Sequence, residues 1–419
     1  MKEKLRQLHS DSLVRNSFYL MLSTGIMAVL GFIFWLISAR IFSPEDIGIA
    51  TTLISAMNLI SYIGLLGFNS TFIRMLPTSK NRSTEMNTGL LLSTGAAIIV
   101  AAGYVLLVPI IAPKLGLVHD NFLYAIGFII MAALASVNLL TDSIFIALRA
   151  AKYNLLIDGI VMSITKLALP FVFVGLGAYG LFAAAGAAAV VALVLSVFFL
   201  IKHFGYRPQL SIDTTTLQGV VKYSFASYLA NLLNIAPTLV LPLVIINHLG
   251  AAAAGYYYLA FMVANLLYTV VYAVSQSLFA EGSYADRGLR DLMKRSSLVI
   301  AAIMIPGVTI IYFGAHLMLT IYGHSYVQAT PLLQTFAIAG PMVAIYTIAN
   351  VLLRITKQTW AIIIVNVVYM TAISGFAEAW ANRGLVWIGY AWLLGQMLAS
   401  VVALSFLWWG WRGRRAPAV

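Results

Sequence analysis

The feature that most constrains this chain is a series of long apolar runs that are nearly free of charge. About twenty apolar residues in a helix span the hydrocarbon core of a bilayer, whereas barrel strands are about ten residues long and alternate in polarity. The runs therefore predict an all-α integral membrane protein with about twelve transmembrane helices. They lie at 16–38, 47–76, 88–111, 122–148, 156–175, 179–201, 218–247, 252–280, 292–321, 326–352, 360–377 and 384–409.

The composition excludes the soluble alternatives. Hydrophobic residues make up 62% of the 419 residues and charged residues only 9%, against about 45–50% and about 25% in soluble domains. So few charges cannot cover the surface of a soluble enzyme, and a disordered scaffold has far fewer apolar residues. The chain has no cysteine, and its six histidines show no ligand spacing, so it predicts neither a metal site nor a cofactor.

The distribution of lysine and arginine predicts the topology. With the N-terminus inside, all but four of the 25 basic residues fall in cytoplasmic segments. The positive-inside rule then predicts an even number of spans, with both termini cytoplasmic, in a multi-pass protein of the inner or plasma membrane. These loops account for the net charge of +12, which therefore does not predict a nucleic-acid partner. The first run is too long for a signal peptide and is expected to be an uncleaved helix.

The two halves of the chain resemble each other at a nearly constant offset. A shift of 207 residues aligns 14–18 with 221–225, and a shift of 205 aligns 148–152 with 353–357. We therefore predict an N-terminal six-helix lobe at 1–201, a cytoplasmic linker at 202–217 and a C-terminal six-helix lobe at 218–419. Because six is even, the lobes would share one orientation and be related by a pseudo-two-fold axis along the membrane normal, as in many transporters.

Two acids are candidates for ion coupling, since no nucleotide-binding loop is present to drive transport. Asp142 and Asp158 lie eight residues either side of Ala150, so a hairpin of the fourth and fifth spans would place them at similar depth. As a pair they would bind Na⁺ or relay protons. Alternatively, Asp158 pairs with Arg149 or Lys152 near the cytoplasmic end.

Lys166 is the most informative single residue, because it lies near the middle of a span. A central lysine costs about 2.5–3.5 kcal/mol to insert, so it needs a function or a partner. It would bind an anionic substrate group in a water-filled cavity. Otherwise it pairs with a buried acid, or reaches the interface along a tilted helix. Arg15 and Arg74 are further candidates to contact a headgroup or phosphate, or serve only as topology charges.

Amides within the spans are numerous, and Asn58, Asn231, Asn234 and Asn265 are candidates to line a glycan-binding lumen. Asn231 and Asn234 are three residues apart and share a helix face. Amide groups hydrogen-bond sugar hydroxyls, but they also hold helices together in membranes. The sequence leaves both interpretations open.

Several short motifs are concentrated in the first 160 residues. They are Arg15-Asn16-Ser17-Phe18, Gly31-Phe32, Ala39-Arg40-Ile41-Phe42, Ser43-Pro44-Glu45-Asp46-Ile47-Gly48, Gly64-Leu65-Leu66-Gly67-Phe68 and Leu148-Arg149-Ala150-Ala151-Lys152. This set resembles polysaccharide transporters, the oligosaccharide flippases of the multidrug/oligosaccharidyl-lipid/polysaccharide superfamily. The resemblance implies a MATE-like fold of two six-helix lobes around a cationic central cavity. It also implies that alternating access moves a polyprenyl-diphosphate-linked oligosaccharide from the cytoplasmic to the outer leaflet.

Three functions are compatible with these features, and a flippase for a lipid-linked oligosaccharide is favoured. A Na⁺- or H⁺-coupled drug or cation antiporter of the same fold would favour buried acids over a buried lysine. A membrane glycosyltransferase or polymerase normally needs a sizeable outer loop, and no outer loop here is long. We therefore expect a transporter and not an enzyme. Its expected partners are the lipid bilayer, a polyprenyl-diphosphate-linked glycan and a coupling cation, Na⁺ or H⁺.

Overall fold

The structure, a computed structural model, describes residues 12–214, 216, 224–282 and 288–413. Within these ranges the chain is helical and contains no β-strand, because helices satisfy their own backbone polar groups in hydrocarbon. Eleven helical segments are long and apolar enough to cross a membrane. The principal helices are α1 (Ser12–Ile41), α2 (Pro44–Gly64), α3 (Phe68–Met75), α4 (Arg82–Ile111), α5 (Phe122–Ala147), α6 (Ser163–Phe173), α7 (Gly177–Phe204), α8 (Phe225–Leu249), α9 (Ala251–Gly282), α10 (Leu289–Tyr322), α11 (Thr330–Ile355), α12 (Thr359–Trp380) and α13 (Leu385–Gly413).

The longest of the eleven segments, Lys152–Phe204, is a hairpin that accounts for two crossings. A 3₁₀ turn at Val174–Leu176 separates α6 from α7, and the chain reverses at Gly177. The φ of +56° and ψ of −134° at Gly177 suit a residue without a Cβ. The two arms end side by side, since the ring centroids of Tyr153 and Phe204 are 5.7 Å apart. The described helices therefore make the twelve crossings that the sequence predicts.

The predicted second span at 47–76 is wrong in one respect, because the helix breaks within it. α2 ends at Gly64, and Leu66 and Gly67 have φ values of +50° and +89°. Two consecutive left-handed residues cannot continue a right-handed helix, so α3 starts anew at Phe68. Arg74 therefore lies on a separate short helix, where its side chain is exposed.

The chain divides into two compact units, residues 1–229 and 230–419, and the boundary falls inside α8. Several elements of the two units correspond. α5 and α11 each have 26 residues and start at positions 122 and 330, an offset of 208. The 3₁₀ turns that follow α6 and α12 start at positions 174 and 381, an offset of 207, and each precedes a glycine with positive φ.

The structure corrects the register of this repeat. The sequence alignment at an offset of 205 pairs Arg149 with Arg354. In the structure, Arg149 and Lys357 occupy equivalent turns, with φ values of +55° and +58°. The same backbone hydrogen bonds close both turns. In each turn, the residue that follows the left-handed one donates its N–H to the carbonyl five positions before it. The geometry of this turn therefore gives a repeat offset of 208 residues here. The Leu-Arg pairs that match at an offset of 205 residues do not occupy equivalent positions.

The segment that follows α7 is fixed to α4. The hydroxyl of Tyr206 donates to Oδ1 of Asn87 at 2.7 Å, and Nδ2 of Asn87 donates back to a backbone carbonyl of the segment at 3.0 Å. Further along, the backbone N–H of Asp213 donates to Oγ1 of Thr88 at 2.8 Å. The first part of the predicted linker at 202–217 is therefore held against the N-terminal end of α4.

Small residues allow close helix packing in the second unit. A Cβ added to the buried Gly395 of α13 would lie 2.9 Å from the backbone nitrogen of Ile373 and 3.0 Å from its Cα. Because these are backbone atoms of α12, no rotamer change relieves the clash. Gly375, also on α12, has nothing within 4 Å of its added Cβ. Helix contact at Gly395 thus depends on the absence of a side chain.

We predict that Gly395→Ala destabilises the protein, because α12 and α13 must separate to admit a methyl group. The expected cost is about 1–3 kcal/mol, the usual range for overpacking a core. Thermal unfolding of the purified protein in detergent measures it as a lower melting temperature. Gly375→Ala is the matched control, and an equal melting temperature for the two variants would contradict the packing described.

Candidate functional site

One face of α11 carries three polar side chains at helical spacing. Tyr346, Asn350 and Arg354 follow one another at intervals of four residues, which places them on the same side of the helix. Tyr346 and Asn350 are buried, whereas Arg354 lies exposed in the last turn. The face therefore leads from a buried hydroxyl to a cation at the helix end.

A hydrogen-bond network around Tyr346 ties three helices together. Its hydroxyl accepts from Nδ2 of Asn234 on α8 at 2.7 Å and donates to Oδ1 of Asn366 on α12 at 2.6 Å. Nδ2 of Asn350 donates to the same Asn366 oxygen at 2.9 Å. Nδ2 of Asn366 in turn donates to the carbonyl of Ala230 at 3.0 Å. Connected networks of this kind hold their side chains in one geometry.

This network borders a cavity of about 410 Å³ within the second unit. That volume lies in the range of about 300–1,000 Å³ that is usual for small-ligand sites. Among the described residues that line the cavity, Arg354 is the only charged one. The lining consists of Asn234, Ile235, Thr238, Phe261, Asn265, Tyr272, Ser275, Gln276, Tyr346, Thr347, Asn350, Val351, Arg354, Tyr369 and Gln396.

Two lining amides present their oxygen atoms unpaired. Asn350 is 5% exposed and Gln396 is 1% exposed. Oδ1 of Asn350 and Oε1 of Gln396 accept no hydrogen bond from any described residue. The Nε2 of Gln396 donates to the hydroxyl of Tyr369 at 3.3 Å. An unpaired buried acceptor costs about 1–3 kcal/mol, so both amides carry this cost in the wall of the cavity.

Arg354 has a partner that orients it without neutralising it. Its Nη2 donates to Oδ1 of Asn231 at 3.2 Å. Among the described residues the ion pair within 4.0 Å joins His248 to Glu378, so no described carboxylate pairs with Arg354. The guanidinium therefore keeps its positive charge and free donors.

The first unit contains a pair of acids where α5 meets the hairpin that follows it, Asp158 being buried and Asp142 half-buried. Asp158 is 4% exposed and lies in a π-helical stretch, Leu155–Met162. Its carboxyl group interacts directly with that of Asp142, and Nδ2 of Asn138 donates to Oδ1 of Asp158 at 3.1 Å. No described lysine or arginine lies within 4.0 Å of either carboxylate. The alternative pairing of Asp158 with Arg149 or Lys152 is thus not seen.

The offset of 208 relates this acid pair to the network of the second unit. It carries Asn138, Asp142 and Asp158 onto Tyr346, Asn350 and Asn366. Equivalent side chains make equivalent hydrogen bonds in the two units. Asn138 donates to Asp158 at 3.1 Å in the first unit, and Tyr346 donates to Asn366 at 2.6 Å in the second. Two positions that carry carboxylates in the first unit therefore carry amides in the second.

Lys166 lies on α6 and faces aromatic rings of α1. Its Nζ is 4.6 Å from the ring centroid of Phe34 and 5.8 Å from that of Trp35. No described acid lies within 4.0 Å of it. A cation over aromatic faces is stabilised by about 0.5–2 kcal/mol.

The other predicted site residues are distributed over both units. Asn234 and Asn265 line the cavity, and Asn231 positions Arg354. Asn58, on α2 in the first unit, is half-buried. The side chains of Arg15 and Arg74 are exposed on α1 and α3.

The sequence analysis missed Arg354, Tyr346 and Gln396 as site residues. Arg354 was counted among the cytoplasmic topology charges because it stands at the end of an apolar run. The spacing of Tyr346, Asn350 and Arg354 is the signal that would have found it. Gln396 stands alone in an apolar run, so its place in the cavity follows only from the packing of α13.

The fold is that of solved transporters of the MOP superfamily. The inward-facing conformation of a multidrug resistance MATE family transporter matches with a TM-score of 0.70 and 16% identity, covering 97% of this chain and 100% of that one. The outward-facing conformation of such a transporter matches with a TM-score of 0.65 and 15% identity, covering 96% and 95%. A MOP superfamily transporter from Pyrococcus furiosus, described as having a binding pocket of reverse polarity that suggests a different function, matches with a TM-score of 0.64 and 15% identity over the same shares.

No curated protein matches the chain. The profile of the family described as polysaccharide biosynthesis protein matches residues 13–279. This match includes all of the first unit's described helices together with α8 and most of α9. The chain therefore belongs to the family described as polysaccharide biosynthesis protein.

Proposed function

We propose that this protein moves a polyprenyl-diphosphate-linked oligosaccharide from the cytoplasmic to the outer leaflet of the cell membrane, for the synthesis of a cell-surface polysaccharide. The cavity of the second unit carries this proposal, since its lining offers amides, hydroxyls and one cation, Arg354. A glycan supplies hydroxyl groups for the amides, and the positive charge attracts an anionic substrate to the cavity. An acidic lining would suit a drug cation, and among the described residues that line the cavity none is acidic.

The comparisons with known proteins support the substrate class and the transport function of this proposal. Membership of the polysaccharide biosynthesis family favours a glycan as the substrate, and the MATE-like fold favours transport over catalysis. For the Pyrococcus furiosus transporter, reverse polarity of the pocket suggests a different function. We infer that the cationic lining found here likewise separates this chain from cation antiporters of the same fold.

In this proposal the protein works by alternating access. The lobes at 1–201 and 218–419, joined by the linker at 202–217, open in turn to the cytoplasm and to the outside. Both termini lie in the cytoplasm, as the basic loops predict. The prenyl tail stays in the lipid while the headgroup passes through the lumen.

Lys166 is proposed to bind the diphosphate, assisted by Arg15 and Arg74. Its ammonium has aromatic neighbours and no acid within 4.0 Å among the described residues, which leaves its charge available to an anion. Asn58, Asn231, Asn234 and Asn265 are proposed to act on the glycan, and two of them line the cavity.

Asp142 and Asp158 are proposed to couple transport to a gradient of Na⁺ or H⁺. Two buried carboxylates in contact repel each other unless a proton or a cation lies between them. Exchange of that cation would change the packing of α5 against the π-helical stretch that contains Asp158. This acid pair is also the observation that favours the second candidate function, a Na⁺- or H⁺-coupled antiporter.

We predict that Lys166→Ala slows flipping at least about tenfold, because one charge-assisted contact with the diphosphate contributes about 1.5–3 kcal/mol. The assay uses proteoliposomes that contain a polyprenyl-diphosphate oligosaccharide, and a glycan-modifying enzyme added outside reports its leaflet. Lys166→Arg keeps the charge and should retain most of the activity. Normal flipping by a well-folded Lys166→Ala protein would remove this role.

We predict that Asp158→Asn abolishes the response to an ion gradient, because the amide can neither bind nor release a proton. In the same vesicles, an imposed Na⁺ or H⁺ gradient should accelerate flipping by the wild type and not by the variant. Glu378→Gln is the control, since Glu378 is an exposed acid paired with His248. If the wild type instead exchanges a cationic dye for Na⁺ or H⁺ and moves no glycan lipid, the antiporter function replaces the one proposed.

A further inference from the structure

We propose that a groove between α4 and the segment that follows α7 binds an anionic phospholipid of the cytoplasmic leaflet, with an acyl chain along α4 and the phosphate beside Arg207. The groove has a volume of about 530 Å³, and both of its walls belong to the first unit. It is therefore distinct from the cavity of the second unit. The lining consists of Asn87, Leu90, Leu91, Thr94, Gly95, Ile98, Tyr206, Pro208, Gln209 and Leu210.

The first wall of the groove is a stripe along one face of α4. Its residues lie between positions 87 and 98 at the three- and four-residue intervals that keep side chains on one side of a helix. Over this range an α-helix rises about 16 Å, and the hydrocarbon of one leaflet is about 15 Å thick. The hydroxyl of Thr94 donates to the carbonyl of Leu90 at 2.6 Å, so it needs no partner from the groove. The stripe therefore matches the length and the polarity of a single acyl chain.

The second wall is the segment that follows α7, which protrudes although it is fixed to α4. Hydrogen bonds from Tyr206 to Asn87 and from the backbone of Asp213 to α4 hold its two ends. Between them, Leu210 is 92% exposed and Ile212 is 59% exposed. In the predicted topology the N-terminal end of α4 is cytoplasmic, so this wall lies at the cytoplasmic surface of the membrane. Apolar side chains at that depth are stabilised by entering the acyl region of the bilayer.

The other end of the groove opens towards the lipid. Ile98, in the lining, is 43% exposed, and the neighbouring Ile99 is 73% exposed. Exposed apolar side chains of a membrane-spanning helix contact lipid tails, which are as apolar as they are. A chain that lies along the stripe therefore continues directly among the chains of the bilayer. This continuity favours a lipid as the occupant over a molecule from the aqueous phase.

Cations surround the cytoplasmic end of the groove. Arg207 immediately precedes the lining residue Pro208, and its carbonyl accepts from Nδ2 of Asn87 at 3.0 Å, which fixes it beside the start of the stripe. Its side chain is exposed. Exposed basic side chains also lie where α4 begins and where α7 ends, namely Lys80, Arg82 and Lys202. Each lysine or arginine near an anionic leaflet strengthens binding about fivefold.

The neighbouring acids do not neutralise these cations. Oε1 of Glu85 accepts from the hydroxyl of Ser79 at 2.6 Å, and Oδ2 of Asp213 accepts from the hydroxyl of Thr216 at 2.7 Å. Among the described residues, neither carboxylate lies within 4.0 Å of a lysine or an arginine. The end of the groove is therefore positively charged, while its described lining carries no charge. An anionic headgroup on a hydrocarbon chain complements both parts.

The test uses the full chain in phosphatidylcholine vesicles that contain a trace of one photoreactive lipid. The two probes are phosphatidylglycerol and phosphatidylcholine, each with a diazirine in the same acyl chain. After irradiation, mass spectrometry maps and quantifies the labelled peptides. We expect peptides from 90–98 and 206–212 to carry at least about fivefold more label from phosphatidylglycerol than from phosphatidylcholine.

Four variants assign the contacts. Gly95→Leu fills the groove with a side chain and should remove most of this label. Gly103→Leu is the matched control, because both glycines lie on α4, neither has an atom within 4 Å of an added Cβ, and Gly103 lies outside the lining. Arg207→Gln should reduce the phosphatidylglycerol label about fivefold and leave the phosphatidylcholine label unchanged. Arg290→Gln removes an exposed arginine at the start of α10 and should change neither label.

Three results would overturn the proposed lipid site. They are equal labelling of the groove by both probes, label that survives Gly95→Leu, and stronger displacement of the label by unlabelled polyprenyl phosphate than by unlabelled phosphatidylglycerol. The last result would assign the groove to the prenyl tail of a substrate and not to a lipid of the membrane. Circular dichroism and gel filtration confirm that each variant is folded.

Discussion

Polar side chains in hydrocarbon need partners inside the protein, and equivalent positions of the two repeats form a hydrogen-bonded cluster in each unit. In the first unit, Asn138 on α5 donates to Asp158, which also contacts Asp142. In the second unit, the equivalent Tyr346 donates to Asn366. An unpaired polar group there would cost several kcal/mol, so each cluster fixes how its helices pack. The cavity and its lining depend on the second of these clusters.

The two clusters occupy equivalent positions of the internal repeat but differ in charge. The offset of 208 between α5 and α11 preserves helix length, turn geometry and the donor–acceptor pattern. What changed is the chemistry, since two carboxylates in one unit correspond to two amides in the other. A buried acid pair suits a cation or a proton, whereas amides and a cation suit an anionic, hydroxylated molecule. We propose that one repeat serves coupling and the other serves substrate.

The sequence predicts the architecture well because the bilayer dictates it. Twelve apolar runs, the hairpin at 152–204 and the helical class all follow from length and hydropathy. The site is only partly predictable. Asn234 and Asn265 are recognisable as polar residues in spans, but Arg354 looks like a loop charge. The break at Gly67 and the π-helical stretch around Asp158 depend on local backbone geometry that a hydropathy pattern does not contain.

The most direct measurement of the central claim is photoaffinity labelling with a polyprenyl-diphosphate oligosaccharide that carries a photoreactive group on its first sugar. The protein is reconstituted in nanodiscs, irradiated, digested and mapped by mass spectrometry. The account predicts labels on peptides of α11 and α13 that contain Asn350 or Gln396, and loss of those labels on addition of the unlabelled glycan lipid. Labels confined to lipid-facing peptides, or competition by a cationic dye and not by the glycan lipid, would contradict it.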